Sequence, residues 1–78
     1  MNVREAVEDA MRQVFPSFTG PVPNELSAAD VPGWDSFAHV RLMFEIESRL
    51  GCEIDVTQTY EFQDVGELMT HLAGLKHG

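Results

Sequence analysis

The sequence lacks the covalent staples that usually stabilise very small domains. Its 78 residues include one cysteine, Cys52, so no internal disulfide can form. A lone cysteine also cannot supply a zinc knuckle. The fold must therefore depend on packed helices or sheets, and a hydrophobic content of 44% exceeds that of a disordered acidic segment.

Positive charge is scarce as well. The chain has 5 Lys and Arg residues against 13 Asp and Glu residues, which gives a formal net charge of −8. Such a chain repels nucleic-acid phosphates and anionic lipid headgroups. We therefore expect no nucleic acid and no membrane as partners, and we expect proteins with basic docking patches.

Long apolar runs are missing too. No stretch of about 18 apolar residues occurs, and the N-terminal segment MNVREAVEDAMRQV contains no apolar run of signal-peptide length. The sequence predicts one cytoplasmic, monomeric domain over residues 1–78.

Apolar residues recur at helical spacing in three segments. The first segment, 3–15, follows the N-cap candidate Asn2 and stops at a proline. The second is 37–50, where a wide apolar face predicts a central helix that packs against more than one neighbour. The third begins near residue 65, after the cap candidate Asp64.

A short helix over 57–62, capped by Thr57, is predicted before the last long helix. No β pattern is present. The sequence therefore predicts an all-α fold, a small four-helix bundle with three longer helices and a short third one. The residues expected in its interior are Phe44, Ile46, Leu50, Ile54, Phe62, Val65, Leu68, Met69 and Leu72.

Residues 16–34 form a long connection that contains all four prolines. Apolar side chains are scattered through it without a period, which indicates a loop that is pinned to the core. A loop of this length in so small a domain is typical of a functional segment. It leads directly to Asp35 and Ser36 at the start of the second helix.

Few catalytic or metal-binding patterns are available. His39, His71 and His77 have no second ligand at a metal-binding spacing, and no phosphate loop is present. Ser36 and His39 lie three residues apart, but a hydrolase would also need an orienting acid, an oxyanion hole and a substrate cleft. We expect no enzyme.

Ser36 is the strongest candidate for a functional residue, and two roles are open to it. It can be an ordinary helix N-cap. It can also be the attachment point of a phosphate-containing group, because the start of a helix favours an anion. If Asp35 provides the cap, the Ser36 hydroxyl is left free.

At these residues the chain resembles the acyl carrier proteins, in which the serine of an Asp-Ser-Leu motif carries 4′-phosphopantetheine. The resemblance extends over nearly the whole chain, including the helix order, the long loop, the size and the acidity. Its local pattern consists of Trp34-Asp35-Ser36-Phe37, Val40, Leu42, Ile46, Glu47 and Leu50-Gly51.

The resemblance implies that a phosphopantetheinyl transferase attaches the arm to Ser36, with Asp35 as the neighbouring acid. Acyl groups would then be held as thioesters on the arm and presented to loading and processing enzymes. Cys52 is not that thiol, and we expect it to be a partly buried apolar residue. The resemblance also implies an interior that can open between the second and third helices to sheathe an acyl chain.

The chain departs from the fatty-acid carriers beside the serine. Those carriers have a densely acidic second helix, whereas Ala38, His39 and Arg41 stand here, and Phe37 replaces the usual leucine. We therefore expect a carrier for a specialised lipid, polyketide or polysaccharide-related pathway with a narrow set of partners. The candidate partner-binding residues are Phe37, His39, Arg41, Glu47, Glu53, Asp55 and Glu61.

Two other functions are compatible with the same residues. A peptidyl or aminoacyl carrier shares the serine and the arm but is loaded by an adenylating enzyme. A non-carrier acidic helical adaptor would use Ser36 as a cap alone and would bind a basic partner without any modification.

Overall fold

The computed structural model describes residues 2–77, with side chains through residue 75. Over these residues the chain is all-helical and has no strand, as the sequence predicts. The α-helices are α1, Val3–Val14; α2, Ser36–Leu50; α3, Val56–Thr59; and α4, Val65–His77. α1 packs against both α2 and α4.

α1 begins with a capping box. The Asn2 side chain accepts the Glu5 backbone N–H at 2.8 Å, and the Glu5 carboxylate accepts the Asn2 N–H in return. The buried stripe of the helix contains Ala6, Val7, Ala10, Met11 and Val14. The predicted N-cap is confirmed, and the helix ends one residue before the predicted position.

α2 is bounded by Asp35 and Gly51. The Asp35 carboxylate accepts the Ala38 backbone N–H at 2.9 Å, and Gly51 adopts a positive φ of 70° while its N–H bonds the Glu47 carbonyl. A side chain with a β-carbon is strained at such a φ, so glycine is the suitable residue at this helix end.

The apolar face of α2 is narrower than the sequence predicts. The buried side chains are Ala38, Leu42, Met43 and Ile46. Phe44, predicted in the interior, is 58% exposed, and Phe37 is 85% exposed. The prediction for Phe44 is wrong because a different row of side chains, which includes Met43, faces α1 and the core.

The rest of the predicted interior is only partly correct. Ile46, Ile54, Val65, Leu68 and Leu72 are buried. Leu50, Phe62 and Met69 are half-buried and pack against the edge of the core. A large part of the core comes instead from α1 and from the loop between α1 and α2.

That loop is pinned to the core, as predicted. Val22, Leu26 and Val31 are buried in it. The backbone N–H groups of Val65 and Gly66 donate to the carbonyls of Leu26 and Asn24, at 2.8 and 2.7 Å. The start of α4 is therefore tied to the middle of the loop.

The loop has two further ties. The Arg4 guanidinium donates to the Val22 carbonyl at 2.6 Å and also to the Asn24 side chain. One turn of 3₁₀ helix, Ala28–Asp30, interrupts the loop. The Arg4 bonds tie the middle of the loop to the start of α1.

α3 is shorter than predicted and begins earlier. It spans Val56–Thr59, and its cap is Asp55, whose carboxylate accepts the backbone N–H and hydroxyl of Thr57. The prediction of Thr57 as the cap is therefore wrong. α4 begins as predicted, because the Asp64 carboxylate accepts the Glu67 N–H at 2.9 Å.

None of the helices in residues 2–77 is long and apolar enough to cross a membrane.

Two glycines of α4 should respond oppositely to alanine. A β-carbon on Gly66 would lie 3.0 Å from both the Cβ and the carbonyl oxygen of Asn24, so it would push the loop away and weaken the Gly66 hydrogen bond. Gly74 has open space around it. We expect Gly66→Ala to lower the free energy of unfolding by about 1–3 kcal/mol. Gly74→Ala should raise it by about 0.5–1 kcal/mol.

Urea denaturation followed by circular dichroism measures both changes. A Gly66→Ala variant as stable as the wild type, or more stable, would contradict the close contact between α4 and the loop.

Candidate functional site

The Ser36 hydroxyl lies free at the start of α2. Asp35 provides the N-cap of this helix, and Ser36 is exposed. The Ser36 hydroxyl makes no hydrogen bond to any residue that the structure describes. Of the two arrangements left open by the sequence, the structure has the one in which Asp35 caps and Ser36 is available.

A chain of hydrogen bonds passes through His39, one turn after Ser36. The indole N–H of Trp34 donates to His39 Nδ1 at 3.1 Å. His39 Nε2 lies 2.6 Å from the Thr59 hydroxyl oxygen, and this hydroxyl donates to the Val56 carbonyl at 2.6 Å. Because Nδ1 accepts and the Thr59 proton is already donated, the geometry requires a neutral His39 with its proton on Nε2.

Aromatic contacts reinforce this chain. The ring centroids of His39 and Tyr60 are 4.4 Å apart, and those of Trp34 and His39 are 6.1 Å apart. Trp34 in turn packs against Phe15 at the end of α1, with a centroid distance of 5.5 Å. His39 therefore joins the end of the loop, α2 and α3.

His39 is half-buried, and this burial lowers the pKa of its imidazole below the usual 6.5. Both ring nitrogens are occupied by Trp34 and Thr59, so His39 does not act as a base for Ser36 in this arrangement. The Ser–His pair considered from the sequence spacing is not formed.

Two cavities meet at the His39 ring. An open groove of about 260 Å³ lies beside Ser36 and Asp35. An inner cavity of about 120 Å³ extends between the loop, α3 and the start of α4. Ala28, Trp34, His39 and Tyr60 line both, so the groove and the inner cavity are adjacent.

The partner-binding candidates fall into two groups. Phe37, Arg41, Glu53, Asp55 and Glu61 are exposed, although Asp55 is also the cap of α3.

The second group contains His39 and Glu47, which are half-buried. A Glu47 carboxylate oxygen accepts the Ile54 backbone N–H at 2.6 Å, so Glu47 joins α2 to the segment before α3. The structure gives both residues a role inside the fold, and their role in docking stays a prediction.

Other chemistry is limited in the described residues. They contain no cluster of three or more His, Cys, Asp or Glu side chains that could hold a metal ion. Cys52 is half-buried and free, as predicted.

Sequence reasoning missed Thr59 and Tyr60 as parts of the site. A threonine in a four-residue helix carries no signal of its own. Its 2% exposure is the decisive feature, because a buried hydroxyl needs a partner. Trp34 lies five residues before His39 in the sequence, and this spacing could have indicated the hydrogen bond between them.

Comparisons of the chain with family models, with curated proteins and with solved structures found no match.

Folding stability should depend on the protonation of His39. The unfolded chain binds a proton near the usual pKa of 6.5, whereas burial holds the folded-state pKa lower. Above pH 6.5 the His39 imidazole is neutral in both the folded and the unfolded state, so its protonation does not lower the free energy of unfolding. As pH falls below 6.5 the unfolded state binds the proton first, so the free energy of unfolding decreases.

We expect His39→Gln to be less stable than the wild type at neutral pH and to lose this part of the pH dependence. Urea denaturation at about pH 7.5 and about pH 5.5 measures it. Asp30 does not titrate between these two pH values, because the hydrogen bond from the Ser27 backbone N–H lowers the pKa of its carboxyl below the usual 3.8. His71→Gln, outside this chain of hydrogen bonds, is the control. Equal pH dependence in the wild type and in His39→Gln would contradict the assignment.

Proposed function

We propose that this chain is an acyl carrier protein whose Ser36 bears 4′-phosphopantetheine. The observation that carries the proposal is the division of roles at the start of α2. Asp35 caps the helix through the Ala38 N–H, so Ser36 keeps an exposed and uncommitted hydroxyl. A serine needed as the cap would have its oxygen directed at the backbone instead.

The surroundings of Ser36 suit an attached phosphodiester. The first turn of a helix has unpaired N–H groups and a partial positive charge, which favour an anion. The groove of about 260 Å³ beside Ser36 leaves room for an extended arm. When bound, phosphopantetheine would supply a terminal thiol that holds an acyl group as a thioester.

Attachment would be a phosphoryl-type transfer from coenzyme A. A bond forms between Ser36 Oγ and the phosphorus next to pantetheine, and the diphosphate P–O bond of coenzyme A breaks. Adenosine bisphosphate leaves with the electron pair, and a base of the transferase takes the serine proton. In this scheme Ser36 provides the nucleophilic oxygen and the chain itself catalyses nothing.

The inner cavity supports a carrier of small acyl groups. Its volume of about 120 Å³ corresponds to roughly four water molecules. Apolar side chains such as Leu26, Val65 and Leu68 line part of it, and Ser27, Thr59 and Gln63 line another part. A short acyl chain would fit this space, which is consistent with a specialised lipid, polyketide or polysaccharide-related pathway.

Ser36 should be the site of modification. The wild-type chain, incubated with coenzyme A and a broad-specificity phosphopantetheinyl transferase, should gain the mass of one phosphopantetheine group by intact-mass spectrometry. Ser36→Ala should gain none. Ser48→Ala, which removes another exposed serine of α2, should be modified like the wild type. No gain in the wild type, or an equal gain in Ser36→Ala, would contradict the proposal.

Asp35 should have two separable roles, as a helix cap and as the acid beside the modified hydroxyl. Asparagine caps a helix about as well as aspartate, so Asp35→Asn should change the free energy of unfolding by less than about 0.5 kcal/mol. If the charge takes part in the transfer, the rate of modification should fall about tenfold or more.

Asp35→Ala is the matched variant, and it should also lose about 1 kcal/mol of stability. An unchanged rate of modification in Asp35→Asn would limit Asp35 to capping.

A further inference from the structure

Protonation of His39 has a consequence inside the folded chain. His39 Nδ1 accepts the indole N–H of Trp34 at 3.1 Å, and Nε2 lies 2.6 Å from the Thr59 hydroxyl oxygen. Because Nε2 already carries a proton, a second proton can bind only at Nδ1. An Nδ1–H would then face the Trp34 N–H, donor against donor. The bond to Trp34 is therefore incompatible with a charged His39.

The contacts of His39 with α3 remain compatible with the charge. Nε2–H donates to the Thr59 hydroxyl oxygen in both protonation states. The Tyr60 ring, whose centroid is 4.4 Å from that of His39, attracts an imidazolium placed against it. A protonated His39 therefore stays with α3, and Trp34 is the partner that separates.

Trp34 can leave His39 while its own backbone stays in place. It ends a tight turn over residues 31–34, which is closed by the bond from the Trp34 backbone N–H to the Val31 carbonyl at 3.2 Å. Pro32 followed by Gly33, with a φ of 88°, is typical of a type II turn. The turn does not use the indole, which is only half-buried. Loss of the indole bond is therefore a local event.

No direct ion pair stabilises the proton on His39. Among the described residues, no carboxylate lies within ion-pair distance of its ring. The Asp35 and Asp64 carboxylates accept backbone N–H groups of the helices that they cap. No other charged side chain of the described residues lines a cavity that His39 lines. The titratable side chains that line these cavities with His39 are Asp35, Tyr60 and Asp64.

We propose that His39 is a proton-operated switch, which holds Trp34 against α2 when it is neutral and releases Trp34 when it is protonated. Trp34 lines both the groove beside Ser36 and the inner cavity, so its release changes the shape of both. The switch goes beyond the proposed function and does not require that Ser36 is modified.

The direction of the switch follows from the burial of the ring. Burial lowers the pKa of His39 while Trp34 is bound to it, and release brings this pKa nearer to the usual 6.5. Protons therefore bind the released form better. The ratio of released to bound chains should rise as pH falls, by up to about tenfold between pH 7.5 and pH 5.5.

Trp34 is the single tryptophan of the chain, so its fluorescence reports the switch. A released indole is more accessible to acrylamide, and the quenching constant of the wild type should rise about twofold between pH 7.5 and pH 5.5. Far-UV circular dichroism should stay constant over this range. His39→Gln should have one quenching constant at both pH values. His71→Gln, on a ring that contacts Phe62, should behave like the wild type.

Titration of the His39 ring by NMR is a second measurement, independent of the His39→Gln variant. Trp34→Phe removes the indole N–H and keeps an aromatic ring, so the His39 midpoint should rise by about half a pH unit. Tyr60→Phe is the matched control, since it removes a hydroxyl and keeps the ring against His39. It should leave the midpoint unchanged.

The contradicting outcomes are distinct. Equal quenching of the wild type at both pH values would overturn the switch, and so would an equal rise in His39→Gln. Helix loss in parallel with the rise would show unfolding of the whole chain instead. An unchanged midpoint in Trp34→Phe would remove Trp34 as the group that opposes the proton. Ser36→Ala should keep the full pH response, so failure of the proposed modification is measured separately.

Discussion

The arrangement around Ser36 depends on the hydrogen bonds made by one histidine. His39 accepts from Trp34, at the end of the long loop, and contacts Thr59 in the short helix α3. Together with the Glu47–Ile54 bond and the buried Ile54, these bonds hold against α2 a four-residue helix that would be unstable alone. His39 also lines both the groove beside Ser36 and the inner cavity. The His39 side chain therefore takes part both in the packing of the fold and in the candidate site.

Net charge and exposed apolar side chains act over different distances when another protein approaches. The net charge of −8 acts over a distance of about a Debye length and favours approach by basic proteins. The outer face of α2 exposes Phe37, Arg41 and Phe44. In the proposed carrier, net charge would attract a partner at long range and exposed apolar side chains would act on contact.

Much of the fold could be predicted from the sequence because its signals are local. Asn2, Asp64 and Gly51 end or begin helices through their own conformations and nearest hydrogen bonds. α3 was misplaced because Asp55 and Thr57 are both good caps, and only the structure shows which side chain accepts. The exposure of Phe44 could not be predicted, since helical spacing allows two apolar stripes on α2 and packing against α1 selects the one through Met43.

The candidate site was predictable to a smaller extent. Ser36 and Asp35 were identified from their place before the helix, but the role of His39 depends on Thr59, twenty residues away. The central claim is that the Ser36 hydroxyl is an attachment site. Peptide mapping by mass spectrometry of the protein purified from its native cell tests it most directly. The account predicts phosphopantetheine on the peptide that contains Ser36, and a wholly unmodified Ser36 in that protein would contradict it.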